Sequence, residues 1–363
     1  MRIRLIQASE LDDGLIRQWR CIQGQNANLR SPYYCPEYTQ VVDASLRAKG
    51  RLSRNCSSFA EVAIIESDTS HQIQGFFPFQ RGPWGRILSV GGGLTDYQGI
   101  ICSDDFAECR AAQLLSAIQG RYFAFNHLPL TGALFSSAVK IKHESPVLNT
   151  EGGYDSYLER LKNFQGTPKP GVHAEVRKRS NKIVRELGPL RFEKHEQSSK
   201  ILQRLIQLKI AQWKIGAPPN TVTAFEIPWI NHVIHSLLER NLSATDKGVF
   251  KCALSTLYAG DKLLAIQFSL RHEQTLHCWF PAYEPEFASY SGGTVLVKPL
   301  TEEFAADGIG LIDMGRGAAT YKMRVCTGVV PLGEGACSSP AVLAKGVVAA
   351  RVAVRSLRQR FLR

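Results

Sequence analysis

The sequence lacks any run of eighteen apolar residues, so nothing in it predicts a helix that spans a membrane. It begins MRIRLIQASELDDG, which reaches an acidic residue at Glu10 and has no long apolar stretch of the kind found in secretory signals. Charged residues make up 21% and hydrophobic residues 44% of the 363 residues, which excludes a disordered, collagen-like or coiled-coil chain. A globular cytoplasmic protein is therefore expected.

Paired cysteines are also missing. The nine cysteines are irregularly spaced and include no CxxC motif, so neither a disulfide framework nor a zinc knuckle is predicted. Reduced and mostly buried thiols are expected instead. His232 and His235 share a helical face but have no third ligand nearby, which argues against a metal site. A GxSxG nucleophile turn and a Walker phosphate loop are absent as well.

Positive charge, by contrast, is abundant and local. The chain has 44 Lys and Arg against 32 Asp and Glu, a formal charge of +12. Between Arg160 and Lys214 there are fourteen basic residues and four acidic ones. A second basic cluster, with five arginines, occupies residues 351–363. Basic patches attract phosphates of several kinds, including nucleic acid, anionic lipid, nucleotide sugars and phosphorylated cofactors, and charge alone does not choose among them.

The length predicts two domains, because a single core rarely extends over 363 residues. We place the first domain over residues 1–150, the second over residues 151–335 and a basic C-terminal helix over residues 336–363. Both halves contain a hairpin pattern followed by a glycine-rich turn. This repetition suggests two copies of one α/β module.

The second half has the clearer pattern of elements. Apolar periodicity and turn residues predict a basic helix, an amphipathic helix, an antiparallel meander, a further helix and a last strand, over residues 173–187, 198–214, 250–282, 293–307 and 311–314.

Several short motifs in this half occur in a recognisable order. They are YAGDKLLA at 258–265, Trp279, Ala282-Tyr283, YSGGT at 290–294, DMGRG at 313–317 and Tyr321-Lys322. The Gln212-Trp213-Lys214 triplet and Asp96-Tyr97-Gln98-Gly99 precede them. In order and spacing they resemble the GNAT N-acetyltransferase superfamily, specifically its CelD-like branch, named for a cellulose-biosynthesis protein.

The resemblance covers residues 30–325. It implies an α/β (α+β) fold of two tandem GNAT-like domains, each a mixed, mostly antiparallel sheet flanked by helices, as in the related Fem-type aminoacyl transferases. It also implies that an acetyl or other acyl group moves from acyl-CoA to an amine or hydroxyl acceptor, which in this branch is often a precursor of a polysaccharide or secondary metabolite. No metal is implied.

A Q/R-x-x-G-x-G/A loop in most GNAT enzymes corresponds to residues 289–294 here, which supply glycines but no leading Arg or Gln. The cofactor-binding residues predicted from this loop are Ser291, Gly292, Gly293 and Thr294. Backbone N–H groups at a helix start suit a pyrophosphate, and glycine allows its close approach. The alternative is an ordinary helix entry that is capped by Ser or Thr. The first domain has no matching loop and is expected to carry no cofactor.

Three residues are candidates for proton transfer to or from the reacting groups: His277, Asp313 and Tyr321. Strand alternation places Thr275, His277, Trp279 and Pro281 on one face of the sheet, with Leu276, Cys278 and Phe280 on the other. For His277 the alternative is a hydrogen-bonded sheet histidine. For Asp313 it is an ion pair with Arg316, and for Tyr321 it is a solvated loop.

Six further residues are predicted to bind the acceptor, a small molecule or saccharide: Asp96, Tyr97, Trp213, Tyr283, Arg316 and Lys322. The alternative for Asp96 and Tyr97 is a simple turn. Trp213 could equally pack on the core at its helix end, and Lys322 could lie in a solvated loop. The acceptor is expected between the two domains.

Two other functions stay open on the sequence. The basic helix, with Arg177, Lys178, Arg179, Lys182 and Arg185, could bind phosphates of a cofactor, a nucleotide sugar or tRNA, or could simply face solvent. A Fem-like transferase that uses aminoacyl-tRNA is therefore one alternative. The other is a degenerate binding module whose C-terminal basic helix docks on an anionic membrane or a synthase complex.

Overall fold

The computed structural model describes residues 1–49, 59–103, 110–131, 134–164, 172–218, 221–243 and 249–338. The chain divides into two compact units, one formed by Met1–His143 together with the segment from Pro331 onward, the other by Glu144–Val330. These divisions lie near, but not at, the predicted domain boundaries of 150 and 335, which stay predictions. The predicted C-terminal helix lies outside the described residues beyond Ser338, and residues 336–338 belong to a strand rather than a helix.

The first unit has three helices and six strands of its own in the described residues: β1 (Arg2–Gln7), α1 (Asp13–Gln25), α2 (Pro36–Lys49), β2 (Glu61–Glu66), β3 (Ile73–Arg81), β4 (Arg86–Ser89), β5 (Ile101–Cys102), α3 (Ala111–Ala117) and β6 (Tyr122–Pro129). Strand β7 (Val139–Asn149) then carries the chain into the second unit.

The second unit continues with α4 (Tyr154–Phe164), α5 (Val172–Leu187), β8 (Leu190–Glu193), α6 (Ser199–Lys214), α7 (Pro228–Ser243), β9 (Phe250–Ala259), β10 (Lys262–His272), β11 (Thr275–Tyr283), α8 (Gly292–Ala306), β12 (Leu311–Asp313) and α9 (Thr320–Val325). Strand β13 (Gly328–Ser338) returns the chain to the first unit.

Within the first unit the strand order is β1-β2-β3-β4-β6-β13, and β5 pairs with β3. All neighbours are antiparallel except β4 and β6. One face of this sheet is covered by a fully buried aromatic cluster, in which the Phe77 and Phe123 rings meet edge to face at 5.3 Å. Trp19 of α1 stacks on Phe76, the neighbour of Phe77 in the strand, so α1 covers the opposite face.

Within the second unit the order is β8-β9-β10-β11-β12-β7, again antiparallel except for one parallel pair, β11 and β12. The two units therefore share one strand arrangement, which is that of a duplicated module. The parallel pairing is short, since only Thr275–His277 lie opposite Leu311–Asp313.

Helices cover both faces of the second sheet. On one face Tyr157 of α4, Ile183 of α5 and Phe304 of α8 belong to one buried cluster with Ala253 of β9. Cys252, the next residue of β9, donates its thiol hydrogen to the Leu237 carbonyl of α7. Because neighbouring strand residues point to opposite faces, α7 covers the other side of the sheet.

The predicted alternation along β11 is wrong at its centre. The pairing with β10 shifts between Phe268 and Ser269, which leaves Trp279 as an extra residue, a β-bulge. The rings of Trp279 and Phe280 consequently stack on each other, with their centroids 4.3 Å apart. The Phe280 ring also meets the Phe225 ring edge to face, with centroids 4.9 Å apart. Phe280 therefore does not share the face of Cys278, which packs in the core with α8.

Candidate functional site

A cavity of about 340 Å³ lies at the start of α8 in the second unit. This volume is within the usual range for small-molecule sites, about 300–1,000 Å³. Five of the predicted site residues line it together: Tyr283, Ser291, Gly293, Thr294 and Tyr321. The remaining wall is mainly apolar and comes from β10, β11 and α8 and from Met314.

The cavity opens where β11 and β12 separate. The two strands pair up to His277 and Asp313; beyond that point β11 continues to Tyr283, whereas β12 ends. The residues that follow the last pair, Cys278 on one strand and Met314 on the other, both line the cavity. A short parallel pairing thus creates the gap in the sheet.

The start of α8 supplies backbone donors to this cavity. Ser291 precedes the helix in a left-handed conformation, with φ 56° and ψ 45°, which is costly for a residue other than glycine. The N–H groups of Thr294 and Val295 donate to the Ser291 carbonyl. In the described part of the chain, the N–H groups of Gly292 and Gly293 have no such acceptor, as expected for the first turn of a helix.

The two glycines of this turn differ in their surroundings. A Cβ atom on Gly292 would lie 3.1 Å from the Leu264 Cβ and 3.2 Å from the Leu264 carbonyl oxygen, so glycine is required there for close packing on β10. A Cβ atom on Gly293 would have no atom within 4 Å, and Gly293 lines the cavity. Gly293 therefore leaves space for a ligand, whereas Gly292 serves the fold.

An arginine from a distant helix reaches this turn. Arg179 of α5 donates a hydrogen bond to the Ser291 hydroxyl, and its guanidinium also binds Glu175 at 2.6 Å. Glu175 binds Arg324 of α9 at 2.8 Å as well. These two arginines, first of all the hydrogen bond from Arg179, lower the pKa of the Glu175 carboxyl. The start of α8 thus has a cation beside it despite the missing Arg or Gln in its own loop.

The basic helix α5 lines a groove next to the same turn. Its basic side chains lie together with Ser289 and Tyr290, which precede α8. Lys182 lies 5.0 Å from the centre of the Tyr290 ring, and the Tyr290 hydroxyl donates to Glu186 at 3.0 Å. This hydrogen bond raises the pKa of Tyr290. The groove therefore combines positive charge with one aromatic face.

Asp313 and His277 lie behind the cavity wall rather than in it. Asp313 is 3% exposed, and its Oδ1 accepts hydrogen bonds from the Ser145 hydroxyl at 2.5 Å and the Gly315 N–H at 2.8 Å. His277 is 1% exposed, and its Nδ1 lies 3.6 Å from the same oxygen. These contacts hold the turn after β12, and this geometry favours a structural role for Asp313 through Ser145 and Gly315.

Tyr321 and Cys278 line the cavity as neutral donors. Burial raises the pKa of the Tyr321 hydroxyl to about 12, with a smaller contribution from Cys278. Burial likewise raises the pKa of the Cys278 thiol to about 12. Both groups are protonated at neutral pH, so Tyr321 is able to give a proton to a leaving group in the cavity. Lys322, the next residue, donates to the carbonyls of Gly315 and Arg316 at 3.0 and 3.4 Å.

Three other residues predicted to bind the acceptor, Trp213, Tyr97 and Asp96, differ in exposure and in their contacts. Trp213 at the end of α6 is 57% exposed, so it does not pack on the core. In the first unit, Tyr97 is 6% exposed and its ring lies parallel to that of Tyr33 at 6.5 Å. The Asp96 carboxylate is 3.4 Å from Nε2 of His127. The roles of these residues in acceptor binding stay predictions.

Sequence reasoning missed one residue at this site, Lys209. Its Nζ donates to the Gln212 side-chain oxygen at 3.0 Å and to the Pro281 carbonyl at 3.2 Å, and both of those residues line the cavity. A signal was visible, because Lys209 follows Leu205 by four residues and therefore falls on the apolar face of α6. A lysine on an apolar helix face is unusual, because its amine is rarely buried without polar partners.

Comparisons with known proteins agree with this architecture. Residues 171–323 match the family model of the acetyltransferase (GNAT) domain. The matched residues include the lining of the cavity, the α8 turn and Lys209. No curated protein matches the chain in sequence.

Two solved structures share the fold over nearly the whole chain. One is the C-terminal domain of a lysylphosphatidylglycerol synthetase candidate from Agrobacterium fabrum, at 14% identity and a TM-score of 0.52, covering 93% of this chain and 95% of that one. The other is FemX, at 10% identity and a TM-score of 0.51, covering 93% and 96%. Identities this low show the fold alone, and the predicted mixed α/β fold class is confirmed.

In the described ranges, no three His, Cys, Asp or Glu side chains come together as metal ligands. His232 instead has its Nδ1 3.1 Å from the Ser236 hydroxyl. Among the helices that the structure describes, none combines the length and apolar composition that crossing a membrane requires.

We predict that Asp313→Asn chiefly lowers stability. The buried carboxylate accepts two hydrogen bonds, so the change should cost about 1–3 kcal/mol in the free energy of unfolding, measured by chemical denaturation. Turnover per folded molecule should fall less than about tenfold. A fall of about 10²–10⁴ in kcat with unchanged stability would instead identify Asp313 as a general base.

Proposed function

We propose that the protein is an acyltransferase that moves an acetyl or other acyl group from acyl-CoA to an amine or hydroxyl of a small-molecule or saccharide acceptor. The observation that carries the proposal is the cavity between β11 and β12, which begins at the N–H groups of the α8 turn. The GNAT domain match covers these same elements.

The donor's phosphates fit the entrance of the cavity. The N–H groups of Gly292 and Gly293 and the positive end of α8 suit a pyrophosphate. Arg179, which binds Ser291, would supply the cation that the loop sequence lacks. The open space at Gly293 allows a phosphate to approach the backbone. Ser291 and Thr294 would add hydroxyl contacts, as both line the cavity.

The thioester arm would lie along the apolar wall. Leu296, Val297 and Leu300 of α8 line the cavity on successive turns, which suits the hydrocarbon part of the donor. The acceptor would attack the acyl carbon directly, without a covalent enzyme intermediate, and the CoA sulfur would leave. Tyr321, which keeps its proton because burial raises its pKa, would protonate that sulfur.

The acceptor would enter from the side of β11 where Tyr283 is exposed. Tyr283 is 48% exposed and lines the cavity, and Trp213 offers an exposed ring at the end of α6. Exposed aromatic rings of this kind suit stacking on a sugar or a base. Arg316 and Lys322 would hold an anionic acceptor group. A role in polysaccharide or secondary-metabolite assembly, in the CelD-like manner, is part of the proposal.

A Fem-like donor, aminoacyl-tRNA, is the second candidate. It is favoured by the basic groove of α5, where Lys182 lies beside the Tyr290 ring and Arg177 and Lys178 line the same groove. A positive groove with an aromatic face suits a single-stranded 3′ end. The degenerate binding module remains a third proposal, and its docking helix, predicted over residues 336–363, lies outside the described residues beyond Ser338.

Donor assays separate these functions. We expect the purified protein to release CoA thiol from acetyl-CoA or a longer acyl-CoA in the presence of an amine or sugar acceptor and without tRNA. Transfer that occurs only from aminoacyl-tRNA would establish the Fem-like function. Calorimetry that shows no heat with any acyl-CoA, and no transfer from tRNA, would support the binding module.

Substitutions at Gly292 and Gly293 are expected to have different effects, one on stability and the other on CoA affinity. Gly293→Val places a branched side chain in the cavity entrance, so the Kd for CoA should rise at least tenfold, about 1.4 kcal/mol, with little change in Tm. Gly292→Ala should lower Tm, because its Cβ would press on Leu264. Gly24→Val in α1, where a Cβ also meets no atom within 4 Å, is the matched control and should leave CoA affinity unchanged. Unchanged affinity in Gly293→Val would remove this turn from the donor site.

Removing the guanidinium near Ser291 should weaken phosphate binding. Arg179→Met should raise the Kd for CoA about 3- to 30-fold, and the loss should shrink at high ionic strength because salt screens the lost charge. Arg17→Met, at an exposed position of α1, removes the same charge elsewhere and should have no effect. Equal affinities of the two variants for CoA, measured by calorimetry at low salt, would contradict the assignment.

A further inference from the structure

Lys209 has an unusual environment for a lysine. Its side chain is buried, with a relative exposure of 9%, at the position where α6 packs on β11. Its Nζ donates to two uncharged oxygens, those of Gln212 and the Pro281 carbonyl. In the described part of the chain, no carboxylate lies within ion-pair distance of this amine and no third hydrogen bond is made by it. Two N–H bonds are thus fixed in direction, and the third Nζ position is left for another group.

The electrostatic surroundings favour the neutral amine. Burial, and secondly the positive charge of Lys322, lower the pKa of Lys209 to about 8. The titratable and charged side chains on the surrounding elements are His277, Cys278 and Tyr283 on β11; Tyr321, Lys322 and Arg324 on α9; and His232, His235, Glu239 and Arg240 on α7. Two carboxylates lie toward the ends of α6, but Glu284 is bound by Arg204 at 2.5 Å and Glu226 by Lys214 at 2.6 Å. With this pKa, about half of the Lys209 amine is neutral at pH 8 and about one tenth at pH 7.

We propose that Lys209 is the general base of the acyl transfer, taking the proton of an acceptor that reaches Nζ beside the part of the cavity wall formed by Gln212 and Pro281. This inference rests on the proposed acyltransferase function. The geometry supports it, because both hydrogen-bond partners of Nζ line the cavity, at the end of β11 where Tyr283 is exposed. The other candidate base, Asp313, already accepts hydrogen bonds at Oδ1 from the Ser145 hydroxyl and the Gly315 N–H.

The step balances without a further reagent. The acceptor nitrogen or oxygen forms a bond to the acyl carbon, and its proton passes to the lone pair of the neutral Lys209 amine. The carbon–sulfur bond breaks, and its electron pair leaves on the CoA sulfur. Tyr321 gives that sulfur a proton, and the proton on Lys209 returns to solvent or to the tyrosinate, which restores the site.

The test measures CoA thiol release from acetyl-CoA with hydroxylamine as the acceptor, from about pH 6 to about pH 10. Hydroxylamine is uncharged over most of this range, so the acceptor does not itself impose the pH dependence. For the wild type, the rate should rise with pH through an apparent pKa near 8. Lys209→Met should lower the rate about 10²- to 10⁴-fold and remove this rise, and Lys209→Arg should not restore it, because arginine keeps its proton.

Two controls separate catalysis from folding and from donor binding. Lys200→Met changes an exposed lysine of the same helix and should match the wild type in rate and pH profile. Lys209→Met should bind CoA within about twofold of the wild-type Kd, since Lys209 lies outside the proposed phosphate contacts. Lys209→Gln, which keeps hydrogen bonding, gives a second neutral variant in case the methionine variant folds poorly.

The pH dependence of folding stability tests the protonation of Lys209 without any acceptor substrate. The folded-state pKa of Lys209 lies below its ordinary value, so between about pH 8 and about pH 10 the unfolded chain binds the extra proton. Wild-type stability should therefore gain from this group as the pH rises through that window. Lys209→Met lacks this gain. The Tm of the wild type should therefore rise relative to the Tm of Lys209→Met as the pH rises.

The outcomes are distinguishable. A Lys209→Met variant that binds CoA and keeps both the rate and the rise near pH 8 would overturn the inference and leave the acyltransferase function standing. A wild type that releases no CoA thiol with hydroxylamine and binds no acyl-CoA would overturn both. A wild type whose Tm shows no more gain than the methionine variant between about pH 8 and about pH 10 would also overturn the inference.

Discussion

The short parallel contact between β11 and β12 is the constraint on which the site depends. Three residue pairs join the strands, and the chain then leaves the sheet because the buried Asp313 carboxylate binds the Gly315 N–H and the Ser145 hydroxyl. β11 continues without that partner to Tyr283. A cavity lies at the gap, and α8 begins at its edge with two backbone N–H groups that have no acceptor in the described residues.

The polar groups around this gap differ in burial, and burial affects whether they carry charge. The exposed groove of α5 is lined by arginines and lysines, a composition that suits anionic groups. In and beside the cavity, loss of water contact favours the neutral forms of Tyr321, Cys278 and Lys209. The second unit thus combines a positively charged exposed groove with buried polar groups that favour the neutral state.

Local patterns predicted most of the second unit well, because helices such as α6 and hairpins such as β9–β10 depend on residues close in sequence. They did not reveal the bulge at Trp279, since a bulge is a property of the pairing between two strands and leaves alternation in the sequence unchanged. Nor did they indicate that Ser145 would bind Asp313, a contact that joins residues 168 positions apart.

The sequence by itself determined the charge of α5, the glycines at the start of α8 and the order of elements that resembles the GNAT superfamily, because each depends on composition or short spacing. Only the tertiary structure decided which polar residues meet in the cavity. Tyr283, Ser291 and Tyr321 line it, whereas Asp313 lies behind its wall. The protonation of Lys209 was likewise decided by packing, because desolvation and the charge of Lys322 act through space between segments far apart in the chain.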